Sequence, residues 1–271
     1  MPRIPVRTGT TLNYEISGDG EPLLLIMGTS GAIQLWGELT SRLAQTHRVI
    51  AFDNRGLGGS DRGTGPISVA SLAEDASALL EAIEVPRAHV LGWSLGSAAV
   101  QELALAHPDQ VASALMYATW ARADGFQRSV LSALRLPYVH RDMESALASA
   151  GIAFSPQMLD HPEFAEMLVP MLPAFPQNEE QMQVTVEQWD ADLVHDTLDR
   201  LPAIDAPTLV VVGEQDLLTP RWQAQKVADA IPGARFELVP GPGSSHCMHL
   251  ERPEDLTKIL TGFLGEHPMG R

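Results

Sequence analysis

Residues 88–107, AHVLGWSLGSAAVQELALAH, change character at one residue. Val90 and Leu91 close a short apolar run of the kind that forms a buried strand, and from Ser97 onward small and helix-forming residues follow. Between them Gly92-Trp93-Ser94-Leu95-Gly96 fits G-x-S-x-G. The pentapeptide alone arises by chance in many chains; a strand before it and a helix after it make it specific. In that setting it predicts a tight strand-to-helix turn that projects the Ser94 hydroxyl from the sheet, with small flanking residues so that strand and helix nearly touch. The helix start also offers backbone N–H groups and a positive dipole end to a developing anion. The plainer alternative is a glycine-rich connection carrying a solvated serine.

Outward from this turn, strand and helix alternate. PLLLIMG (22–28), HRVIAFD (47–53), VASALMYAT (111–119) and APTLVVVGE (206–214) are short apolar runs ending in turn residues, which suits a parallel sheet covered on both faces. LTSRLAQ (39–45), SLAEDASALLEAI (71–83) and AAVQELALAH (98–107) read as crossover helices, and RFELVP (235–240) with PEDLTKILTGFL (253–264) closes the pattern. Residues 4–18 alternate as a hairpin with Gly9 near its turn. The expected class is α/β, with core segments 1–121 and 205–271. Residues 122–204 depart from it: they are helical in character, interrupted at Pro137, Pro156, Pro162, Pro170, Pro173 and Pro176, and rich in Met and Phe. Their place between two core strands suggests a helical cap over the sheet edge where such folds bind ligands. Most of the apolar cap residues are expected to form its own core, and a minority to line a pocket.

The 271-residue chain carries 34 acidic against 18 basic residues, a formal charge of −16, which argues against nucleic-acid and anionic-membrane partners. Cys247 is the single cysteine, so no internal disulfide forms and a reducing compartment is the simple reading. With no signal-peptide pattern at the start and no apolar run long enough to span a bilayer, a soluble cytoplasmic protein is expected. No dinucleotide fingerprint, phosphate loop or zinc spacing appears, so neither metal nor cofactor is expected.

A serine nucleophile needs a base, and the base an orienting acid. VVVGEQDLLTP places Asp216 just past a strand, and VPGPGSSHCMHLERPEDL places His246 in a loop before the last helix. Ser94, Asp216, His246 is the chain order expected of such a triad. His249 competes as base, although its place beside Leu250 suggests packing, and Glu214 and Asp124 compete as acid. The oxyanion needs two donors: the N–H of Leu95, next to the nucleophile, and one from the loop after the third strand, where Thr29 follows Gly28.

On these residues the chain resembles the α/β-hydrolase superfamily over nearly its whole length. FDNRGLGGSD (52–61) resembles the family's turn after strand four, which makes Asp53, Arg55 and Asp61 structural, and the spacing of His246 to the glutamate of ERP selects it over His249. Met27-Gly28 stands where the family often has His-Gly, as in branches of methylesterases, enol-lactone hydrolases and cofactor-free haloperoxidases. The resemblance implies a mostly parallel eight-stranded sheet and a serine hydrolase acting on a small, largely apolar ester or lactone. Perhydrolysis and carbon–carbon bond hydrolysis are rivals, the latter needing polar cap groups such as Arg135, His140 or Arg141. A ligand-binding or non-hydrolytic protein on the same fold is a third. A homo-oligomer is compatible with the sequence.

Overall fold

A computed structural model describes residues 2–270. Among these, eight strands form one sheet in the order β1-β2-β4-β3-β5-β6-β7-β8. They are β1 (Arg3–Pro5), β2 (Thr11–Ser17), β3 (Glu21–Ile26), β4 (His47–Phe52), β5 (Ala88–Trp93), β6 (Val111–Tyr117), β7 (Thr208–Gly213) and β8 (Arg235–Val239). β1 pairs antiparallel with β2 and β2 antiparallel with β4, while the strands from β4 to β8 are parallel. The flanking helices are α1 (Glu38–Leu43), α2 (Val69–Ala82), α3 (Leu95–Ala106), α9 (Arg221–Ala230), α10 (Met248–Glu251) and α11 (Pro253–Glu266); between β6 and β7 lie α4 (Gly125–Val139), α5 (Met143–Ser149), α6 (Pro156–Leu159), α7 (Phe164–Leu168) and α8 (Glu179–Val194).

The two-residue period of the strands divides the interior. Leu24, Ile26, Ile50, Phe52, Val90, Met116 and Val210 point into one apolar layer with α2, α3 and α9. Their neighbours Leu23, Leu25, Val49, Ala51, Leu91, Leu115 and Val211 point into the other, with α1 and α11. Both faces are dry, which is why these strands read as continuous apolar runs rather than alternating ones. From β3 the chain crosses to β4 on one side, whereas β5 leads to β6 on the other. The loops after β3 and β5 therefore diverge and open a crevice at the carboxyl end of the sheet.

The turn after β4 is a built polar joint. Asp53 accepts hydrogen bonds from Asn13 Nδ2 (2.7 Å), Ile33 N (2.8 Å) and Gly59 N (2.8 Å). Arg55 forks onto Asp75 of α2, both side chains almost fully buried. Asp61, by contrast, is exposed and pairs with Arg3.

Two elements differ from expectation. Helix α9 was not among the expected helices, because RWQAQKVADA is largely polar and turns only Gln223, Ala224, Val227 and Ala228 inward. Pro137 does not interrupt α4, which continues to Val139; so near the helix end it removes little, and Asp142 N bonds back to its carbonyl. The segment between β6 and β7 leaves and returns at one place: Arg122 pairs with Asp196 and Asp199, and Thr197 N donates to Ala121 O. Leu131, Leu134, Tyr138, Met182, Val186 and Trp189 form a separate apolar cluster within it. No helix among the described residues is long and apolar enough to cross a membrane.

Because Arg55 and Asp75 are a buried hydrogen-bonded pair, Arg55→Leu is expected to cost about 3–5 kcal/mol, since it strands a carboxylate in the core. Urea unfolding measures this, and a change below 1 kcal/mol would contradict the pairing.

Candidate active site

Ser94 joins β5 to α3 at φ 55° and ψ −122°, a backbone conformation that residues with a Cβ rarely adopt. Its neighbours impose this turn. Ser94 N donates to Tyr117 O (3.0 Å), and Ser97 donates to Ser94 O through both N (2.7 Å) and Oγ (2.6 Å). A Cβ on Gly92 would lie 2.1 Å from Gly96 O, and one on Gly96 would lie 1.9 Å from Ile26 O. These glycines therefore serve close approach, letting α3 rest directly on β5 and β3. A Cβ on Gly28 would lie 3.2 Å from Ser94 Cβ, so the loop after β3 passes against the serine and brings Thr29 to it. Thr29, Ser94 and His246 line one cavity, while Leu95 is buried as the first residue of α3.

Asp216 and His246 are brought together at the ends of β7 and β8. His246 Nδ1 lies 3.0 and 3.1 Å from the two carboxylate oxygens of Asp216, both residues nearly dry. Asp216 also accepts from Leu218 N, Thr219 N (both 2.9 Å) and Thr219 Oγ1 (2.8 Å), which fixes the carboxylate. The His246 carbonyl accepts from Trp93 Nε1 (2.9 Å) and Tyr117 Oη (2.6 Å), so β5 and β6 anchor the histidine loop. Gln215 N donates to Ser244 O (2.9 Å), joining the acid and histidine loops. With Nδ1–H directed at Asp216, His246 keeps the lone pair of Nε2. The Ser94 hydroxyl forms no hydrogen bond among the described residues.

The rival residues sit elsewhere. His249 is fully buried, with Nε2 3.0 Å from Leu35 O and its ring edge-on to Trp93, and desolvation lowers its pKa to about 3. Asp124 caps α4 through Gln127 N and accepts from Trp222 Nε1 (both 2.9 Å). Glu214 is exposed and accepts from Gly241 N (2.8 Å).

Over Ser94 lies a cavity of about 80 Å³. Leu35, Trp93, Leu218 and Leu250 wall it from the sheet side, and Leu134, Tyr138, Ile152, Phe154, Met171, Phe175 and Trp189 from the helices between β6 and β7. Of the methionines in that segment, Met171 alone lines it among the described residues. Arg135, His140 and Arg141 do not line it; Arg135 pairs with Asp190, and Arg141 bonds to Gln183 and Tyr138 O. Among the described residues, no group of three or more His, Cys, Asp or Glu side chains is arranged to hold a metal ion.

Sequence reasoning missed two residues. From α8, Gln188 Oε1 accepts from Ser30 N (2.8 Å), and Asp192 Oδ2 accepts from Thr29 Oγ1 (2.7 Å). Both are dry, and α8 thus grips the loop beside Ser94. The signal was present: 185, 188, 189 and 192 share a helical face, so Asp192 falls on the stripe that Trp189 buries.

Residues 21–253 match the family model of the alpha/beta hydrolase fold, and the chain belongs to that family. It is 32% identical to "Putative carbamate hydrolase RutD" of Azorhizobium caulinodans, over 94% of this chain and 95% of that one. It is 29% identical to "Putative non-heme bromoperoxidase BpoC" of Mycobacterium tuberculosis, over 93% and 97%. Among solved structures, the enol-lactonase from Burkholderia xenovorans LB400 superposes with a TM-score of 0.87 at 25% identity, covering 97% of this chain and all of that one.

Two outcomes follow from this geometry. Gly96→Ala sets a methyl group against the Ile26 carbonyl and is expected to cost about 3 kcal/mol or more in urea unfolding. His249 stays neutral in the native state down to about pH 3, whereas in the unfolded chain it takes up a proton near its ordinary 6.5. The unfolded state binds more protons between those values, so this histidine's contribution to stability is present above pH 6.5 and is lost as pH falls toward 3. Relative to wild type, His249→Phe should therefore show a smaller drop in Tm from pH 7 to pH 4; an equal drop would contradict the assignment.

Proposed function

We propose that the chain is a serine hydrolase that cleaves a carboxylic ester or lactone of a small, largely apolar molecule. The observation that carries this reading is that Ser94 and His246 open onto one apolar cavity while Asp216 holds the far nitrogen of the same imidazole. In the reaction His246 Nε2 takes the Ser94 proton as Oγ attacks the carbonyl carbon. The N–H groups of Leu95 and Thr29 receive the oxyanion. Collapse expels the alcohol, which takes the proton from His246 and, in a lactone, stays tethered to the acyl group. Water, deprotonated by His246, then attacks the acyl-enzyme and frees Ser94. Asp216 keeps the tautomer and stabilises the imidazolium throughout.

Residues 122–204 act as the cap in this reading: they supply most of the apolar wall and so set which acyl and alcohol groups fit. The names carbamate hydrolase and enol-lactonase, borne by relatives, both describe hydrolysis at a carbonyl that bears a heteroatom leaving group. The name bromoperoxidase supports a second reading, in which peroxide replaces water in deacylation. Carbon–carbon cleavage has less support, because Arg135, His140 and Arg141 lie off the cavity.

With p-nitrophenyl butyrate, Ser94→Ala is expected to lower kcat by roughly 10⁴-fold or more and Asp216→Asn by about 10⁴-fold. Full hydrolysis by Ser94→Ala would overturn the reading. Peracid formation from acetate and peroxide at a rate exceeding ester hydrolysis would favour the second one.

A further inference from the structure

The loop that carries Thr29 is held at its ends by the turn after β4, where Asn54 Nδ2 donates to Met27 O and Ile33 N donates to Asp53, and from above by helix α8. Thr29 Oγ1 donates to Asp192 and Ser30 N donates to Gln188, while Gly28 lies against Ser94. Ser30 stands at φ 64°, a conformation a serine holds only under external restraint, and the Gln188 bond supplies one. Asp192 is 1% exposed, and its second oxygen, Oδ1, is buried with no hydrogen-bond partner among the described residues.

We propose that Asp192 is a positioning residue for the oxyanion site: as a neutral carboxylic acid it anchors Thr29 so that the Thr29 N–H faces the oxyanion, and its ionisation slows the reaction. This rests on the Ser94 hydrolase reading. A charged Asp192 would place a second anion one side chain away from the oxyanion, within roughly 8 Å by ordinary bond and hydrogen-bond lengths. Across a dry protein interior that repulsion slows the step by about tenfold or more.

The surroundings favour the neutral acid. Elements packed on α8 include α4, α2, the loop at Thr29 and the turn after β4 that carries Gly56, Gly58 and Arg62. Their ionisable groups are engaged elsewhere, exposed or uncharged: Arg135 of α4 pairs with Asp190, Arg128 of α4 is exposed, Asp75 of α2 pairs with Arg55, Glu74 and Glu81 of α2 pair with Arg7, and burial holds Tyr138 of α4 neutral. On the α8 side, Glu187 pairs with Arg62, and His195, its pKa lowered to about 4 by desolvation, bonds to Gln101. Among the described residues Asp192 thus has no counter-ion, and desolvation raises its pKa to about 8 against the Thr29 bond alone.

The test compares kcat and KM for p-nitrophenyl acetate from pH 6 to pH 10 in wild type, Asp192→Asn and Ser94→Ala. The expected wild-type kcat falls about tenfold or more through a midpoint near pH 8, with KM little changed. In Asp192→Asn, which accepts from Thr29 but cannot ionise, the ratio of kcat at pH 9.5 to kcat at pH 6.5 should return to near one. A wild type without the alkaline fall, or an Asn variant that keeps it, overturns the role of Asp192. Ser94→Ala that hydrolyses the ester like wild type overturns the underlying reading instead. Should circular dichroism show Asp192→Asn unfolded, Thr29→Ser and Thr29→Val carry the same question. Ser keeps the hydroxyl anchor and is expected to exceed Val in kcat by about tenfold or more at pH 6.5; equal kcat would overturn the anchor.

Discussion

The close approach of three backbones at Ser94 is the constraint on which the rest of the site depends. Helix α3 can rest on β5 and β3 only because Gly92 and Gly96 lack side chains, the latter with the Ile26 carbonyl where a Cβ would stand. That contact forces Ser94 into its left-handed conformation and raises its hydroxyl above the sheet. It also brings the β3 loop alongside, setting Gly28 against Ser94 and Thr29 on the same cavity as the serine. Everything else is hung from this point: Trp93 and Tyr117, from the neighbouring strands β5 and β6, hold the His246 carbonyl.

Above the turn, two independent tethers tie the helical segment to the chemistry. Asp192 and Gln188 of α8 grip the loop at Thr29 and Ser30. At the other end, Glu251 accepts from Ser155 N (3.0 Å) and from the hydroxyls of Ser155 and Ser245, the latter next to His246. The segment that walls the cavity therefore also touches both loops that flank Ser94. Under the proposed reaction, a substitution in the cap reaches the rate through these contacts as well as through the shape of the cavity.

Much of this was legible in the sequence, for local reasons. Alternating strand and helix patterns fix a parallel sheet, and G-x-S-x-G at a strand-to-helix joint fixes where a turn must be tight. Asp216 and His246 could be paired because each follows a strand at the same sheet edge; His249, beside Leu250, read as packing and sits dry against Trp93. What stayed hidden depends on contacts across the chain. Helical spacing puts Asp192 on the face that Trp189 buries, but what it holds there is not readable until its bond to Thr29, 163 residues away, is seen. Helix α9 was lost because its inward stripe is built of Gln, Ala and Val rather than a strong apolar repeat. Arg135, His140 and Arg141 were singled out for their chemistry alone, and only packing reveals that they lie off the cavity.

In the proposed reaction the raised Ser94 attacks a carbonyl whose oxygen lands between the N–H groups of Leu95 and Thr29. The most direct measurement is a crystal structure of the protein after reaction with an alkyl fluorophosphonate, whose phosphoryl oxygen stands in for the oxyanion. The expected result is a bond from phosphorus to Ser94 Oγ, with that oxygen about 2.7–3.1 Å from both nitrogens and the alkyl chain in the cavity. A phosphonate carried by another residue, or one on Ser94 whose oxygen points away from Leu95 and Thr29, would contradict it.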